Sequence, residues 1–257
     1  MRALIGHTGF VGANLLRAGG FDAAYNSRNI DDIAGRTFTE VVCAGVSAVK
    51  WLANREPEAD RVAIARLTDA LARASIARFV LISTVDVYPD PAAAADESTP
   101  FREGPAHAYG RHRLALERWA AERWPDHLVM RLPALFGPGL KKNVLYDLLH
   151  DNLVEKIDPA SQFQWYPVER LPADLARAAA AGLRVVNLVT APIRTAALLE
   201  RYFPDARVAD PGIAPACYRI QTQFGGAFGR SAPHLMEAEE VLQEIGRFVA
   251  DYARAAA

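Results

Sequence analysis

The sequence predicts an α/β protein with a doubly wound parallel sheet and a small α+β lobe. Apolar segments with strand character alternate with amphipathic helical segments up to residue 138, which is typical of such a sheet. The strand segments are apolar along most of their length, as expected for parallel strands covered by helices on both faces. Because the alternation loosens after Pro138, we predict one domain over residues 1–138, to which residues 168–183 return, and a small lobe over residues 139–257.

The individual elements are predicted from hydrophobic periodicity and from glycine and proline residues at their ends. The predicted strands of the first domain are residues 3–5, 21–26, 40–44, 78–84 and 127–131. The predicted helices between them are residues 10–17, 57–74 and 108–123. In the remainder of the chain the predicted elements are helices over residues 143–151, 171–182 and 237–253 and one strand over residues 185–189.

Composition excludes several classes of protein. A chain of 257 residues buries enough surface to hold a core without disulfides, and its two cysteines form no disulfide framework. A net charge of −1 gives no indication of a positively charged surface that would bind nucleic acid or an anionic membrane. No apolar run is long enough to span a bilayer, and the apolar start before Gly6 is too short for a signal peptide. We therefore expect a cytoplasmic protein with no nucleic-acid or membrane partner.

The first three glycines of the chain have the spacing of a phosphate-binding turn between a strand and a helix. Such a turn needs residues without a Cβ for the turn itself, for close approach of a pyrophosphate and for helix packing. Unpaired N–H groups at the helix start then meet the phosphates. This spacing predicts dinucleotide binding, and the alternative is an ordinary turn. The predicted binding residues are Gly6, Thr8, Gly9, Phe10, Val11 and Gly12.

The end of the second predicted strand should lie at the adenosine ribose. NAD enzymes place a carboxylate there for the 2′-hydroxyl, whereas an arginine suits the 2′-phosphate of NADP. No carboxylate occurs here before Asp31, whereas Ser27 offers a hydroxyl and Arg28 a cation. The sequence therefore favours NADP over NAD, and the alternative is that Arg28 is a solvated surface charge.

A threonine and a tyrosine form a third candidate feature. Thr84 ends the fourth predicted strand, at the edge where open α/β sheets bind ligands. Tyr109 begins the helix that follows, and Arg113 lies one turn further on. Because i, i+4 spacing places Arg113 beside the phenol, and a nearby cation lowers a tyrosine pKa from about 10, we predict a proton-transferring tyrosine. The alternative is an ordinary surface pair on a helix.

Four motifs in this order resemble the extended short-chain dehydrogenase/reductase family, in its NAD-dependent epimerase/dehydratase branch, which acts largely on nucleotide sugars. The motifs are Gly6-x-x-Gly9-x-x-Gly12, Ile82-Ser83-Thr84-x-x-Val87-Tyr88, Tyr109-x-x-x-Arg113 followed by Glu117, and Arg131-x-x-x-x-x-Gly137-Pro138-Gly139. Residues 44–49 and 56–58 are similar to the nucleotide-sugar reductases of this group. The resemblance implies a Rossmann-type nucleotide-binding domain with a substrate lobe.

The resemblance also implies roles for individual residues in an NAD(P)-dependent oxidoreductase or epimerase. Tyr109 is the implied acid/base at the substrate hydroxyl or carbonyl carbon, and Thr84 hydrogen-bonds the same oxygen. Arg113 is implied to hold the nicotinamide ribose and to lower the pKa of the phenol. The implied cofactor contacts outside the glycine loop are Ala44, Gly45, Tyr109, Arg113 and Pro133.

The chain also departs from the pattern of the family. The family has a lysine where this sequence has Arg113, whose planar guanidinium is larger than an ammonium, and a substrate-holding asparagine where it has Ala134. Dehydratases of the group carry two acids after the threonine, whereas this chain has only Asp86 after Val85. The single acid disfavours a dehydratase. The changes at Arg113 and Ala134 motivate the alternative hypothesis of an NADP-binding sensor or structural protein that does no chemistry.

Substrate and partner predictions are few. The candidate substrate contacts are Asp86, Lys142 and Asn143, although the last two also suit a solvated turn. The histidines lack metal-ligand spacing, so we expect no metal. By resemblance we expect a homodimer with apolar surface supplied by leucines of two helices, which are Leu67, Leu71, Leu114 and Leu116. The alternative is that these leucines face the sheet.

Overall fold

The described residues of the computed structural model are 1–101, 104–208, 212, 214–231 and 233–256, without the side chains of residues 255 and 256. They form two compact units. The first unit comprises Met1–Asp90, Thr99–Arg131 and Leu171–Val186, and the second unit comprises Pro91–Ser98, Leu132–Arg170 and Asn187–Ala257. The predicted boundary at residue 138 stays a prediction. The units differ from it chiefly in that residues 91–98 and 132–138 belong to the second unit.

A six-stranded sheet organises the first unit. Its strands are β1 (Arg2–Ile5), β2 (Ala23–Tyr25), β3 (Thr37–Cys43), β4 (Ser75–Thr84), β5 (His127–Leu132) and β9 (Val185–Asn187), in the order β2-β1-β3-β4-β5-β9. Strand β1 pairs in parallel with both β2 and β3, and β3 pairs in parallel with β4. The predicted doubly wound parallel sheet is therefore confirmed. The chain reverses its direction of winding at β1, so the carboxyl ends of β1 and β3 form the switch point where such sheets bind ligands.

Burial explains why the inner strands are apolar. Val41 and Val42 of β3 and Phe79 and Val80 of β4 are completely buried. Consecutive strand residues point to opposite faces, so burial of neighbours means that both faces of the sheet are covered. Phe79 also stacks on Trp124, with ring centroids 4.1 Å apart.

The α-helices in the described part of the first unit are α1 (Phe10–Ala18), α2 (Lys50–Arg55), α3 (Pro57–Ala72), α4 (Ala108–Arg123) and α6 (Leu171–Ala180). Helix α3 begins at a proline, which fits the first position because its missing N–H has no partner there. Helix α4 has the predicted bounds, and the side chain of His107 caps it by accepting a hydrogen bond from the N–H of Gly110 at 3.0 Å.

In its described residues, the second unit contains short strands and three α-helices. Strands β6 (Ala134–Phe136) and β8 (Trp165–Pro167) pair in parallel, and β7 (Gln162–Phe163) and β10 (Ile193–Arg194) pair antiparallel. Its helices are α5 (Val144–His150), α7 (Thr195–Tyr202) and α8 (Ala238–Ala256). The buried amide of Gln164 joins its loops, because it donates to the carbonyls of Thr190 and Ile220 at 2.7 Å each.

The structure differs from the sequence predictions mainly at element ends and in short elements. Strands β3 and β4 begin three residues earlier than predicted, and the segment predicted as an isolated strand at 185–189 is an edge strand of the main sheet. Helices α2 and α7 and strands β6, β7, β8 and β10 were not predicted, because segments this short carry little periodicity. Among the described residues, no helix has both the length and the apolar character needed to cross a membrane.

Candidate functional site

The glycine loop joins β1 to α1 at the switch point of the sheet. Gly6 has a positive φ of 85°, and a Cβ there would lie 2.3 Å from the carbonyl oxygen of Ala44, directly after β3. A Cβ at Gly12 would lie 2.0 Å from the carbonyl oxygen of Gly6, so α1 packs against the loop through bare backbone. Gly45 completes the close packing, because a Cβ there would lie 2.7 Å from the side chain of Ile5.

The first turn of α1 can receive an anion. Gly9 is its N-cap residue, and no side chain caps the helix. The N–H groups of Phe10, Val11 and Gly12 have no partner within the helix, and no acidic residue lies in this turn. Thr8 is exposed beside them. These features suit a pyrophosphate, which carries the negative charge that a helix N-terminus favours.

His7 fastens the glycine loop to the second strand. Its Nδ1 lies 2.9 Å from the carbonyl oxygen of Tyr25, and its Nε2 lies 3.5 Å from the amide nitrogen of Asn26. The N–H of Gly6 donates to the same Tyr25 carbonyl at 2.8 Å. His7 therefore holds the loop in place, a role that the sequence did not reveal.

The segment after β2 presents a hydroxyl and a cation to solvent. Ser27 and Arg28 are both exposed in a turn, and the N–H of Arg28 donates to the side chain of Asn26 at 2.8 Å. Asp31, the first carboxylate after this strand, binds Arg66 of α3 and Arg73 directly after that helix instead. The geometry thus leaves Arg28 accessible to a ligand at the carboxyl end of β2.

Thr84 and Tyr109 are brought together at the end of β4. The Thr84 side chain is near enough to the phenol to lower the pKa of Tyr109 by hydrogen bonding, and the tyrosine is largely buried. The N–H of Tyr109 donates to the side chain of Asn54 on α2 at 2.9 Å, which anchors the start of α4. A Cβ at Gly110 would lie 2.2 Å from the carbonyl oxygen of Asp86, so only glycine lets α4 approach the chain after β4 this closely.

The predicted lowering of the tyrosine pKa is wrong. Burial raises the pKa of Tyr109 to about 12, because a phenolate is poorly solvated there, and the carboxylate of Asp86 acts in the same direction. Arg113 opposes this with its guanidinium 4.0 Å from the ring centroid. The predicted proximity is therefore present, but burial has the larger effect.

Arg113 is bound to a carboxylate that the sequence analysis did not identify. Its Nη1 and Nη2 donate to the two oxygens of Asp60 at 2.5 and 2.9 Å, and Nη2 also donates to the carbonyl of Ser47 at 2.5 Å. Arg113 and Asp60 are only 4% and 7% exposed. Burial opposes ionisation of Asp60, but hydrogen bonds from Arg113 and His112 hold the pKa of that carboxyl below its usual range. No local sequence pattern predicts this ion pair, because 53 residues separate its members.

Lys50 and Asp86 form a second ion pair beside Thr84. The Lys50 Nζ lies 2.6 Å from Asp86 Oδ1. The backbone N–H of Asp86 donates to Thr84 Oγ1 at 3.1 Å, and the Thr84 hydroxyl lies 3.5 Å from Asp86 Oδ2. Burial and the charge of Lys50 lower the pKa of His107, whereas Asp86 raises it, so His107 lies within the field of this pair. Asp86 is one of the predicted substrate contacts, whereas Lys50 and His107 were not predicted.

The remaining predicted site residues belong to the second unit. Pro133 lies half-buried between β5 and β6, and Lys142 is exposed. Asn143 has a structural role: its Oδ1 accepts from the N–H of Tyr146 at 3.1 Å, and its Nδ2 donates to the carbonyl of Leu135 at 2.8 Å. The cofactor and substrate roles of these residues stay predictions.

Two further observations concern metals and partners. Within the ranges that the structure describes, no group of three or more His, Cys, Asp or Glu side chains is arranged to hold a metal ion. The leucines predicted to supply dimer surface are all buried within the chain, so they offer no exposed apolar face. The homodimer therefore stays a prediction based on resemblance. The four leucines are Leu67, Leu71, Leu114 and Leu116.

Solved structures share this fold over nearly the whole chain. The UDP-N-acetylglucosamine 4-epimerase from Methanobrevibacter ruminantium M1, in complex with UDP-N-acetylmuramic acid, superimposes with a TM-score of 0.79 at 13% identity, covering 100% of this chain and 98% of that one. MoeE5 in complex with UDP-glucuronic acid and NAD gives a TM-score of 0.75 at 19% identity, covering 100% and 99%. TunA, an NAD-dependent NDP-hexosamine 5,6-dehydratase involved in tunicamycin biosynthesis, gives 0.74 at 17% identity, covering 99% and 98%.

Sequence comparison places the chain in a family. No curated protein sequence matches it. The sequence profile of the NAD dependent epimerase/dehydratase family matches residues 25–159, which is more than half of the chain. This match includes the segments that carry Thr84, Tyr109 and Arg113, so the predicted family is confirmed. The chain belongs to the NAD-dependent epimerase/dehydratase family.

Proposed function

We propose that this protein is an NAD(P)-dependent oxidoreductase or epimerase that acts on a nucleotide sugar, with Thr84 and Tyr109 at the reacting carbon. The proximity of the Thr84 and Tyr109 side chains at the carboxyl end of β4 carries this proposal. A ligand bound at this edge of the sheet meets both groups. Family membership supports the same chemistry.

The nucleotide would bind at the glycine loop. The pyrophosphate would lie on the first turn of α1, against Gly9 and the N–H groups that follow it, because the loop leaves no Cβ in its way. Ala44 and Gly45 would line the site at the end of β3. When bound, the nicotinamide supplies a group that accepts or donates a hydride.

Two observations favour different forms of the nucleotide. The exposed Arg28 after β2 and the absence of a carboxylate from residues 25–30 favour the 2′-phosphate of NADP. Structures of MoeE5, which has the same fold, hold NAD. Fluorescence titration with NADPH and NADH tests the choice. If Arg28 selects NADP, Arg28→Ala weakens NADPH binding roughly 3- to 10-fold and leaves NADH binding unchanged.

The tyrosine would act on a substrate oxygen. With its pKa raised to about 12, Tyr109 is protonated at neutral pH and can donate a proton to an oxygen that gains negative charge. Thr84 would hydrogen-bond the same oxygen and fix its position. Arg113 faces the ring and favours the phenolate that remains, while Asp60 and Ser47 hold its terminal nitrogens.

The substrate class rests on the similar structures. Three of them are described with UDP-N-acetylmuramic acid, UDP-glucuronic acid or UDP-glucose. A panel of UDP-sugars is therefore the first set to assay, with nucleotide absorbance and product analysis as readouts. Epimerisation gives a new sugar with no net change in nucleotide oxidation state, whereas oxidation or reduction changes the absorbance in proportion to product.

Substitution of the tyrosine is the decisive experiment. Removal of the phenol oxygen in Tyr109→Phe should reduce kcat roughly 100- to 10,000-fold while nucleotide binding persists, because general acid–base catalysis contributes about that much. Tyr252→Phe, on α8 of the second unit, is the matched control and should retain activity. Equal turnover by wild type and Tyr109→Phe would contradict the assignment.

A nucleotide-binding protein without turnover is the second candidate. The burial of Arg113 against Asp60 favours it, because this arginine cannot also donate both terminal nitrogens to a ribose. Arg113→Lys distinguishes the two functions. Turnover that increases in this variant indicates a weakened enzyme. Intact nucleotide binding without turnover in either protein, across the panel, indicates a sensor or structural protein.

A further inference from the structure

A lysine at the surface is connected to Tyr109 through two intervening side chains. Lys50 contacts Asp86 at 2.6 Å, and their side chains are 38% and 16% exposed. Asp86 contacts Thr84 through its backbone N–H and faces the threonine hydroxyl with its second carboxylate oxygen. The Thr84 side chain in turn lies beside the Tyr109 phenol and influences its ionisation. Groups that can exchange protons therefore extend from a buried phenol to solvent.

The buried phenol needs such a connection. Its side chain is only 7% exposed, so water has little access to the oxygen that loses or gains a proton in the proposed reaction. A phenolate left there is strongly basic, since burial raises the pKa of Tyr109 to about 12. Reprotonation must therefore come from a neighbouring side chain or from a bound ligand.

Arg113 cannot supply this proton. Guanidinium groups stay protonated in proteins, so they influence a neighbour by charge but do not release protons to it. Both terminal nitrogens of Arg113 are also hydrogen-bonded to Asp60 and Ser47. A lysine ammonium, in contrast, can give up a proton and regain one from water. Lys50 is the lysine that the structure places on this route.

Resting on the function proposed above, we infer that Lys50 and Asp86 are a proton-transfer pair that serves Tyr109 through Thr84. In the reductive direction, Tyr109 gives its proton to the substrate oxygen, and Thr84 passes its hydroxyl proton to the phenolate. Thr84 regains a proton from Asp86, which receives it from the Lys50 ammonium. Lys50 then takes a proton from solvent, so one proton enters at Lys50 for each that leaves at Tyr109. Oxidation uses the same route in reverse.

The 3.5 Å between the Thr84 hydroxyl and Asp86 Oδ2 is longer than a strong O–H···O bond. Catalytic hydrogen bonds are often this long before substrate binds and shorten in the complex. Three further charged or titratable groups surround the route and set its electrostatics: Arg113 and Asp60 beside the phenol, and His107 beside the ion pair.

The first test does not depend on turnover. The protein is labelled with fluorotyrosine, whose ionisation is followed by fluorine NMR, and the Tyr109 signal is identified by its loss in Tyr109→Phe. Asp86→Asn removes a negative charge near the phenol, so the pKa of labelled Tyr109 should fall by roughly 1. Lys50→Gln leaves Asp86 without its counter-charge, so the same pKa should rise or stay, never fall.

The second test measures turnover of the UDP-sugar that wild type accepts best. Lys50→Gln and Asp86→Asn should each reduce kcat roughly 10- to 100-fold with KM and nucleotide affinity unchanged, as expected for loss of a proton-transfer group. The double variant should lose no more than the worse single variant, because the two residues act as a unit. Added methylammonium should restore part of the activity of Lys50→Gly, which a purely structural role would not allow.

Arg55→Gln is the matched control, because Arg55 is an exposed cation on the same short helix. It should leave both the fluorine titration and kcat unchanged. An unchanged Tyr109 titration in Asp86→Asn overturns the inference even if kcat falls, since the loss would then be structural. If wild type binds nucleotide but converts no UDP-sugar, the proposed function fails, and the titration still decides whether the pair is coupled to the phenol.

Discussion

The glycine loop and the surroundings of Tyr109 are built in different ways. The loop is made by neighbours in sequence, as when the N–H of Gly9 donates to the carbonyl of Gly6 at 3.0 Å. The contacts around the phenol join residues far apart in the chain: Arg113 meets Asp60 across 53 residues, and Lys50 meets Asp86 across 36. Phosphate binding thus depends on local backbone geometry, whereas proton chemistry depends on tertiary electrostatics.

Removal of the carboxylate that binds Arg113 should give the largest effect. It should disrupt the long-range contacts around the phenol and leave the glycine loop intact. Asp60→Asn leaves a buried guanidinium without its counter-ion, so the free energy of unfolding at neutral pH should fall by about 3–5 kcal/mol. Urea denaturation measures the loss. Asp69→Asn, an exposed position on the same helix, should change stability by less than about 0.5 kcal/mol.

The same pair makes a pH prediction. Because the folded-state pKa of Asp60 is lowered, its contribution to stability is present above its unfolded pKa of about 3.9 and is lost as the pH falls through the folded value. The difference in unfolding free energy between wild type and Asp60→Asn should therefore shrink below about pH 4. A difference that stays constant down to pH 2 would show that Asp60 acts by packing alone.

Substitution within the glycine loop should disrupt the local backbone geometry of that loop. A Cβ in Gly12→Ala would lie 2.0 Å from the carbonyl oxygen of Gly6, so α1 must move away from the loop. We expect a loss of about 1–3 kcal/mol in stability, typical of overpacking, and nucleotide binding too weak to titrate. Gly226→Ala, where a Cβ would meet nothing within 4 Å, is the control and should keep both properties. Normal nucleotide affinity in Gly12→Ala would contradict the proposed pyrophosphate site.

The smallest expected effect concerns the start of α4, where a local helix cap lies near charged groups that are distant in sequence. His107 accepts a hydrogen bond from Gly110 through Nδ1, which protonation of the ring abolishes. His107→Ala should therefore lower the unfolding free energy by about 1 kcal/mol at pH 7. Because burial and Lys50 lower the pKa of His107, this stabilisation is present above the unfolded pKa of about 6.5 and is lost as the pH falls through the folded value.

Denaturation of wild type and His107→Ala between pH 8 and pH 5 measures this effect. Their difference in stability should decrease toward acid pH. His107→Ser keeps an acceptor at the cap without the titration, so it should retain most of the stability and lose the pH dependence. A pH dependence that persists in His107→Ser would assign the titration to another group.

What the sequence could predict follows the same division between local and long-range contacts. The bounds of α4 and the start of α1 follow from periodicity and caps within a few residues, and both agree with the structure. The direction of the tyrosine pKa could not be predicted, because the burial of Tyr109 and its distance from Asp86 depend on the packing of separate elements. The Arg113–Asp60 pair escaped prediction for the same reason.

The short elements that were not predicted from the sequence also have a physical explanation. Helix α2 has six residues, too few to show an amphipathic period, yet it carries both Lys50 and the Asn54 that anchors Tyr109. Short elements of this kind are stabilised by tertiary contacts rather than by their own propensity. The residues that complete the candidate site therefore lie where single-sequence analysis has the least information.

The glycine at position 110 has a consequence for the geometry of the first unit. Because this residue has no Cβ, the start of α4 packs directly against the carbonyl of Asp86 with no side chain between them. The helix start and the chain after β4 are therefore held at backbone contact distance. We expect any larger residue at position 110 to move Tyr109 away from Thr84, so the spacing of the two hydroxyls depends on the absence of a single methyl group.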